Sequence, residues 1–354
     1  MSSRNNNVVQ VKERAEYLDC VKGVAILCIT LLHFENGVIP VWLNVWIGLF
    51  MISTFYFTSG WVFGLKSRVE SPKELWRKRL VQLGMPYLWF GVLILLFDLI
   101  WWGLGQMSAQ EMGREVYKFV TLRGLGTLWF LPVLFLGELL FVWVKHSRRP
   151  WITGSVLFIA TYIISYIYYV RWRPMLEGNI NYQLIDSPVR PIVMGLAAWP
   201  VIGLGYGMSV WLDGRLRSTR KVISAVAGVV VLLVSIWFVI APPFNFFYFN
   251  NLVSNVLPVA GFIGVFALLS GTWIGKFFSY WGRNSLILMA THFSITMELL
   301  MAFDLYVMHH ENFTGWRTIV YFAVAVLLTY PVVTLFNNRL SFMLGKKRTD
   351  RHHV

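Results

Sequence analysis

The chain has 354 residues, of which 57% are hydrophobic and only 14% are charged, and its formal net charge is +14. A soluble domain of this length needs far more polar surface, so the composition excludes a soluble globular protein and indicates a polytopic membrane protein. In a soluble chain this positive charge would favour a nucleic-acid partner. Here its placement follows membrane topology, so no nucleic acid is expected.

Apolar stretches long enough to cross a bilayer, about 20 residues each, recur along the whole chain. We expect an all-α fold with about ten transmembrane helices. The expected parts are a cytoplasmic N-terminal segment (1–18), a transmembrane domain (19–337) and a basic cytoplasmic tail (338–354). The predicted spans lie near residues 20–40, 42–64, 83–105, 127–144, 151–170, 190–212, 222–241, 251–271, 277–303 and 316–336.

The distribution of basic residues predicts the orientation of these helices. With ten spans both termini lie on one side, and 24 of the 31 Lys and Arg residues fall on that side, against 7 on the other. Positive residues accumulate on the cytoplasmic side of membrane proteins. The sequence therefore predicts that both termini are cytoplasmic.

The first span, CVKGVAILCITLLHF, contains two ionisable side chains, Lys22 and His33. Eleven residues turn a helix by three full turns plus about 20°, so both side chains project from nearly the same face, about 16 Å apart along the axis. Ionisable groups at membrane depth are rare and usually face a polar cavity. The alternatives are a snorkelling lysine and a hydrogen-bonded packing histidine. Asp19, one turn before Lys22, is placed to pair with it.

Other features of the chain are interpreted as structural. Cys20 and Cys28 lie about 12 Å apart along the same predicted helix, which is too far for a disulfide. We find no spacing typical of metal ligands, so no metal is expected. The glycines of GLGYG (203–207) and Gly271 are interpreted as sites of close helix packing rather than as a phosphate-binding loop.

Five stretches of the chain, taken in order, resemble the membrane acyltransferase-3 family. YLDCVKGVAILCITLLHF is similar to the first helix of that family, which carries an Asp, a cation, a Gly and a His eleven residues after the cation. FYFTSGWVFG (55–64), RKRLVQLGMPYL (77–88), LGTLWFLPVLF (125–135) and GRNSLILMATH (282–292) are similar to its later segments. The chain departs from the pattern at Lys22, where many members have Arg, and at Gln82, where a second arginine is common.

The resemblance implies a multi-pass O-acyltransferase of the inner (plasma) membrane. Such an enzyme would move an acyl group, usually acetyl, from cytoplasmic acyl-CoA to a hydroxyl of a cell-envelope carbohydrate. The expected partners are then acetyl-CoA or another acyl-CoA as donor, a carbohydrate or glycan acceptor, and the lipid bilayer. The identity of the acceptor, the acyl chain length and the oligomeric state, with a homo-oligomer as one option, stay open.

The chemistry of this transfer suggests roles for particular residues. A hydroxyl attacks a thioester slowly unless a base takes its proton, and an imidazole titrates near neutral pH, so His33 is the expected general base. An acyl intermediate on His33 is the alternative. Lys22 and Asp19 are expected to take part in catalysis together with His33. The expected CoA-binding cations are Arg77, Lys78 and Arg79, whose alternative role is to fix topology. The expected cavity residues are Ser59, Trp129, Asn284, Ser285 and His292. The alternatives are that Asn284 and Ser285 cap or pack a helix, and that Trp129 belongs to the interface belt or the core.

Two other classes of function compete with this reading. A proton-coupled secondary transporter would use His33, Glu138 and Glu298 as a relay, but no inverted repeat is visible. A structural membrane scaffold would leave the shared face of Lys22 and His33 unexplained. The roles of Asp98, Glu138 and Glu298 in an acyltransferase stay open.

Overall fold

The structure, a computed structural model, describes residues 15–35, 37–177, 182–216, 221–241, 247–309 and 315–346. The predicted all-α fold is confirmed, because these residues form helices and contain no β-strand. Three π-helical turns (Leu80–Gly84, Ile167–Trp172 and His292–Met297) and two 3₁₀ segments (Gly126–Trp129 and Ser341–Leu344) interrupt or follow the α-helices. The α-helices are α1 (Glu16–Phe34), α2 (Val41–Leu65), α3 (Pro72–Arg79), α4 (Met85–Gly103), α5 (Ala109–Val120), α6 (Phe130–Lys145), α7 (Pro150–Tyr166), α8 (Arg173–Leu176), α9 (Tyr182–Leu216), α10 (Lys221–Ile240), α11 (Phe247–Leu269), α12 (Trp273–Arg283), α13 (Ser285–Thr291), α14 (Glu298–Tyr306) and α15 (Arg317–Asn338).

The described residues contain ten helical segments that are long and apolar enough to cross a membrane, which confirms the predicted number. The first ends at Phe34 rather than near residue 40, because the chain turns at Gly37 (φ 78°) and Pro40 precedes α2. The carboxylate of Glu35 holds this turn by accepting hydrogen bonds from the Ile39 amide (3.0 Å) and the Asn44 side chain (3.1 Å).

Both ends of α1 can be placed within the bundle from its contacts. At the start of α1 the Tyr17 hydroxyl donates to Asp213 (2.6 Å), and Glu16 accepts from the Gly271 amide (3.0 Å). We call this end of the bundle the N-terminal face and the other end the opposite face. At the other end of α1, Phe34 is buried against Leu300, Tyr321 and Ala325, so the last turn of α1 stays inside the protein.

The predicted ninth span, 277–303, is wrong as a single helix. The chain leaves helical geometry at Asn284 (φ −104°, ψ 13°), where the side-chain amide donates to the Tyr280 carbonyl at 2.9 Å. Such a local hydrogen bond competes with the helix ladder. The part before the break, α12, lies tightly on α1, with Gly282 against the Asp19 carbonyl and Gly23 against the Phe278 carbonyl. The membrane-spanning part is Ser285–Tyr306.

One helix was missed in the sequence. α5 begins with a capping box formed by Ser108 and Glu111 and folds back along α4, because the Phe119 ring lies against Gly91 and the Tyr87 hydroxyl donates to the Phe119 carbonyl (2.7 Å). Gly91 lies about 18 Å along α4 from its end at Gly103. The segment 121–129 therefore returns along the bundle, with Gly124, Leu125, Thr127 and Leu128 buried and Leu122 and Gly126 exposed. Non-helical backbone at this depth is tolerated where protein buries it or where it lines a water-filled cavity.

Close packing at glycines joins the central helices, which confirms the prediction for Gly205 of the GLGYG stretch but not for Gly207, which has open space around it. Gly205 of α9 lies against the Phe57 carbonyl of α2, and Gly60 of α2 lies against the Ile202 carbonyl of α9. The same prediction is wrong for Gly271, which has open space around it and a φ of 81°. Gly271 instead permits the turn before α12, because only glycine adopts such a φ without strain.

Candidate active site

Two histidines meet at the end of α1. His33 Nδ1 and His292 Nε2 are 3.2 Å apart, and the two ring centroids are 5.0 Å apart. His292 is fully buried, whereas His33 is partly exposed. The predicted cavity residue His292 and the predicted base His33 are therefore brought together from positions 259 residues apart in the chain.

Main-chain carbonyls indicate where the protons of this pair lie. His33 Nδ1 is 2.8 Å from the Ile29 carbonyl, and His292 Nδ1 is 2.7 Å from the Leu288 carbonyl. A carbonyl only accepts, so each Nδ1 carries the proton and each Nε2 has a lone pair. The His33 Nδ1–H is then shared between the Ile29 carbonyl and His292 Nε2. This arrangement makes His33 Nε2, which keeps its lone pair, the basic atom of the two histidines.

Local backbone geometry fixes the position of His292. The π-helical turn His292–Met297 begins at this residue, between α13 and α14. Turns of this kind inside helices are often found at functional sites, because they re-aim the side chains that follow. Phe293, the next residue, packs its ring on the His33 ring with centroids 4.8 Å apart. The imidazole of His33 is thus held by contacts on α1, at His292 and at Phe293.

The segment 121–129 closes one side of the histidine pair. Gly126 lies against the Ser294 hydroxyl and the Phe293 ring, and Thr127 donates to the Met289 carbonyl. A side chain at Gly126 would collide with this turn, and its φ of 48° also favours glycine. Trp129, predicted to line the cavity, is the last residue of the 3₁₀ segment Gly126–Trp129 and is partly buried.

Lys22 and Asp19 form a separate cluster near the N-terminal face. Lys22 Nζ is 2.7 Å from Asp19, as predicted, and Arg283 of α12 lies 3.6 Å from the same carboxylate. The spacing along α1 puts Lys22 about 16 Å from His33. Lys22 and His33 therefore lie on the same face of α1, but the Lys22 ammonium does not reach the His33 imidazole.

The three predicted CoA-binding cations point to different places. Arg79 turns inward and forms an ion pair with Glu138 at 2.5 Å, while Ser59 donates to the same fully buried carboxylate. Lys78 pairs with Glu70 at 2.8 Å, and Arg77 is exposed. Arg79, Ser59 and Glu138 thus form an internal polar cluster, which the sequence did not reveal.

Asn284 and Ser285 lie at the break between α12 and α13, away from the histidine pair. The Asn284 side chain accepts a hydrogen bond from Asn337 at 2.8 Å, which joins this break to the end of α15. Their place near the N-terminal face favours a role in fixing the break, with no contact to His33 among the described residues.

A basic cavity of about 290 Å³ opens at the N-terminal face. The turn after α2 and the end of α6 line it, with Lys66, Arg68 and Lys145 as the cations and His146 beside them. Lys66 is held by Glu70. Burial raises the pKa of Glu70, but hydrogen bonds from Lys66 and Lys78 outweigh it and bring this pKa down to about 2. The carboxylate therefore stays ionised, and the cavity remains net positive.

The acidic residues that would form a transporter relay are not joined to the histidine. Glu138 is taken up by Arg79 and Ser59. Glu298 interacts electrostatically with Asp98 and Glu115 at the opposite half of the bundle. Within the described residues neither glutamate is hydrogen-bonded to His33. Among all the residues that the structure describes, no group of three His, Cys, Asp or Glu side chains is arranged to hold a metal ion.

Comparison with known proteins gives one match. The family model described as "Acyltransferase domain" matches residues 15–337, which is most of the chain. No curated protein and no solved structure matches with significance.

Proposed function

Because the chain belongs to the membrane acyltransferase-3 family, we propose that it transfers an acyl group, in the first place acetyl, from cytoplasmic acyl-CoA to a hydroxyl of a cell-envelope carbohydrate, with His33 as the general base. Membership in the family supports acyl transfer by a membrane protein. The observation that carries the role of His33 is its hydrogen-bonding arrangement, in which Nδ1 is committed to the Ile29 carbonyl and His292 while Nε2 keeps its lone pair.

The proposed reaction uses that lone pair directly. His33 Nε2 takes the proton of the acceptor hydroxyl while the hydroxyl oxygen attacks the thioester carbonyl. The tetrahedral intermediate then collapses, the carbon–sulfur bond breaks, and the imidazolium returns the proton to the leaving thiolate. The products are an O-acyl ester and free CoA, and His33 is again neutral. General acid–base catalysis of this kind contributes about 10²- to 10⁴-fold.

His292 supports the base without contacting the reacting atoms in this scheme. When His33 gains a proton, its Nδ1–H becomes a stronger donor, and His292 Nε2 and the Ile29 carbonyl accept it. Hydrogen bonds to a charged donor are about twice as strong as neutral ones. We therefore assign His292 as a positioning residue that stabilises the imidazolium.

The donor would approach from the N-terminal face. A CoA nucleotide is polyanionic and does not enter hydrocarbon, so it requires cations outside the apolar layer. The cavity lined by Lys66, Arg68 and Lys145 supplies them. Lys66 is paired with Glu70 and Arg68 with Glu74, but Lys145 keeps the cavity net positive. Arg79, in contrast, is turned inward onto the buried Glu138. The distribution of basic residues in the sequence supports a cytoplasmic position for this face.

The first experiment asks whether the protein modifies glycans at all. Mass spectrometry compares the O-acyl content of envelope glycans from cells with and without the protein. The glycan that gains an acyl group then serves as acceptor for purified protein, and release of free CoA is measured. No difference in the O-acyl content of any envelope glycan would exclude the proposed function, and so would a glycan that differs but gives no CoA release with the purified protein. Either result would leave the transporter and scaffold alternatives.

The second experiment tests the base. We expect His33→Ala to lose about 10²- to 10⁴-fold in acyl transfer and to keep its membrane level and acyl-CoA affinity, because the nucleotide contacts lie at the N-terminal face. His309→Asn is the matched control: His309 is exposed, and Asn tolerates its positive φ of 55°. Near-normal transfer by His33→Ala would exclude this role. Single-turnover experiments without acceptor distinguish an acyl intermediate on His33 from direct transfer.

A further inference from the structure

A further charged cluster lies near the opposite face, where Arg123 of segment 121–129 meets Asp186 of α9. We propose that Arg123 and Arg190 form a binding site for an anionic group, a carboxylate or phosphate, on the acceptor. That the anionic group belongs to the acceptor rests on the proposed function, whereas the binding of an anion rests on the contacts of the two arginines. We call these two residues the arginine pair.

One carboxylate, that of Asp186, lies beside the arginine pair. Arg123 Nε lies 3.8 Å from Asp186 Oδ2, and the other oxygen of Asp186 accepts a hydrogen bond from the Tyr168 hydroxyl. Asp186 is 4% exposed, so this carboxylate is almost wholly enclosed. Arg190 follows Asp186 by four residues on α9, which places both side chains on the same face of that helix. Two positive charges thus stand against one negative charge.

The surroundings of Arg123 disfavour its positive charge. Burial, and then the neighbouring charge of Arg190, lower the pKa of Arg123, which Asp186 offsets only in part. The Nε of Arg190 is buried and has no hydrogen-bond partner among the described residues. A buried donor on a charged group costs free energy when it makes no hydrogen bond. An anionic oxygen placed between the two guanidinium groups would satisfy this donor and balance the charge.

Of the two cations that shortly precede α9, Arg171 is exposed and Arg173 is already neutralised, which distinguishes both from the arginine pair. Arg173 donates to the Tyr182 hydroxyl (3.1 Å) and pairs with Glu177 (3.1 Å). A structural anchor between Arg123 and Asp186 would explain that one ion pair. It would not explain a second, partly buried guanidinium with an orphaned Nε. Guanidinium groups bind carboxylates and phosphates through two parallel hydrogen bonds, which fits a planar or tetrahedral anion.

The arginine pair lies within reach of the proposed base. Arg123 precedes Gly126 by three residues, so their Cα atoms are at most about 10 Å apart. Gly126 contacts Phe293, whose ring centroid is 4.8 Å from that of His33. One acceptor molecule can therefore place its anionic group at Arg123 and a hydroxyl near His33. The expected acceptor class is a polyhydroxylated molecule with a carboxylate or phosphate, for example an acidic sugar or a sugar phosphate.

Binding of three simple sugars tests this proposal without requiring turnover. The full-length protein in lipid nanodiscs is titrated with D-glucuronate, D-glucose 1-phosphate and D-glucose, and the rise in Tm gives Kd because a ligand of the folded state stabilises it by mass action. We expect at least one charged sugar to bind at concentrations at which glucose does not. The preferred charged sugar then identifies the anion as a carboxylate or a phosphate.

Four variants separate anion binding from a structural role. Arg123→Gln and Arg190→Gln should weaken Kd for the charged sugar by about 10- to 100-fold, the usual value of hydrogen bonds between charged groups. Asp186→Asn keeps an acceptor for Tyr168 but removes the competing charge, so it should bind the charged sugar as tightly or more tightly. Arg171→Gln, an exposed position on the neighbouring π-helical turn, is the matched control and should bind normally.

Several results would overturn the proposal. They are equal binding of glucose and its charged derivatives, no binding of either charged sugar, or a weakening by Asp186→Asn similar to that of the arginine variants. If either arginine variant fails to fold, Arg123→Lys, which keeps the charge but loses the planar fork, should show intermediate affinity, and unchanged affinity there contradicts the site. His33→Ala should bind the charged sugar normally, so a failure of the proposed catalysis is distinguishable from a failure of this site.

Discussion

The contact between His33 and His292 leads to a prediction that separates a positioning residue from a packing residue. His292 is fully buried, and its Nε2 accepts the proton that His33 Nδ1 also offers to the Ile29 carbonyl. His292→Gln can place a side-chain oxygen close to where Nε2 now lies, whereas His292→Leu fills a similar volume without any acceptor. The two variants therefore differ mainly in the hydrogen bond to His33.

The expected magnitude follows from that one hydrogen bond. Hydrogen bonds to a charged group contribute about 1.5–3 kcal/mol, and each 1.36 kcal/mol corresponds to a factor of ten in rate. The bond is strongest when His33 is an imidazolium, so its loss should act on kcat rather than on KM. We expect His292→Leu to lower kcat by about 10- to 100-fold with KM for acyl-CoA unchanged, and His292→Gln to recover a large part of the loss.

The assay follows acceptor-dependent CoA release by each variant at several acyl-CoA concentrations, together with the amount of folded protein in the membrane. Full activity of His292→Leu would refute the reasoning, because the proposed hydrogen bond would then contribute nothing. Equal loss in the Leu and Gln variants would refute it as well and would mark His292 as a packing residue. A rise in KM with kcat unchanged would instead connect His292 with the donor site.

Three further predictions concern topology, the cation of α1 and the basic cavity. Reporter fusions in 65–82 and 213–221 should give cytoplasmic signals and fusions near residue 180 external ones; an external signal from 65–82 would reverse the orientation and the proposed side of CoA entry. Lys22→Arg should keep most acyl transfer and Lys22→Ala should lose much more, since charge holds the cluster at the N-terminal face; similar activities would show that the lysine only snorkels. The pKa of Glu70 lies below its ordinary value of 4.5, at about 2, so its ion pairs stabilise the turn after α2 above pH 4.5 and are lost as the pH falls towards 2. Glu70→Gln should therefore speed hydrogen exchange in this turn at pH 7, and the difference from the native protein should vanish over that pH range.

Much of the transmembrane architecture can be predicted from the sequence, because hydrocarbon imposes a strong constraint on it. Every polar backbone group in lipid must be satisfied within its own helix, so each span shows as a long apolar run. The number of spans follows from this rule, although the bounds predicted for the ninth were wrong. Helix ends are predicted less well, as at Phe34, because they depend on turn contacts such as those of Glu35.

The two errors in helix assignment have different physical reasons. α5 contains four charged residues in twelve, so its apolar run is too short to indicate a span, and its place along α4 depends on the tertiary contact between Phe119 and Gly91. The break at Asn284 falls at the polar residues Arg283, Asn284 and Ser285, which interrupt the apolar run but do not by themselves show that a helix ends there. Only the capping box of Ser108 and Glu111 was a readable signal for the first case, because Ser followed by Glu three residues later marks a helix start.

The site was predicted in part. Periodicity places Lys22 and His33 on one face, but a shared face is a line along a helix and does not bring its ends together. The pairing of His33 with His292, and that of Arg79 with Glu138, depends on which helices are neighbours. No single-sequence pattern contains that information. The charge of Arg79 suggested a site for the CoA anion, but in the structure Arg79 is paired with the buried carboxylate of Glu138.

The depth of His33 has a consequence for how the two substrates meet. The basic cavity lies at the N-terminal face, whereas the arginine pair joins segment 121–129 to the start of α9, towards the opposite face. His33 stands between them, at the end of a helix that begins at the N-terminal face. A donor and an acceptor that approach from opposite faces need no complete passage of either substrate across the membrane, because only the acyl group has to change sides. The fold-back of α5 makes this arrangement possible, since it brings segment 121–129 down to the level of the histidines.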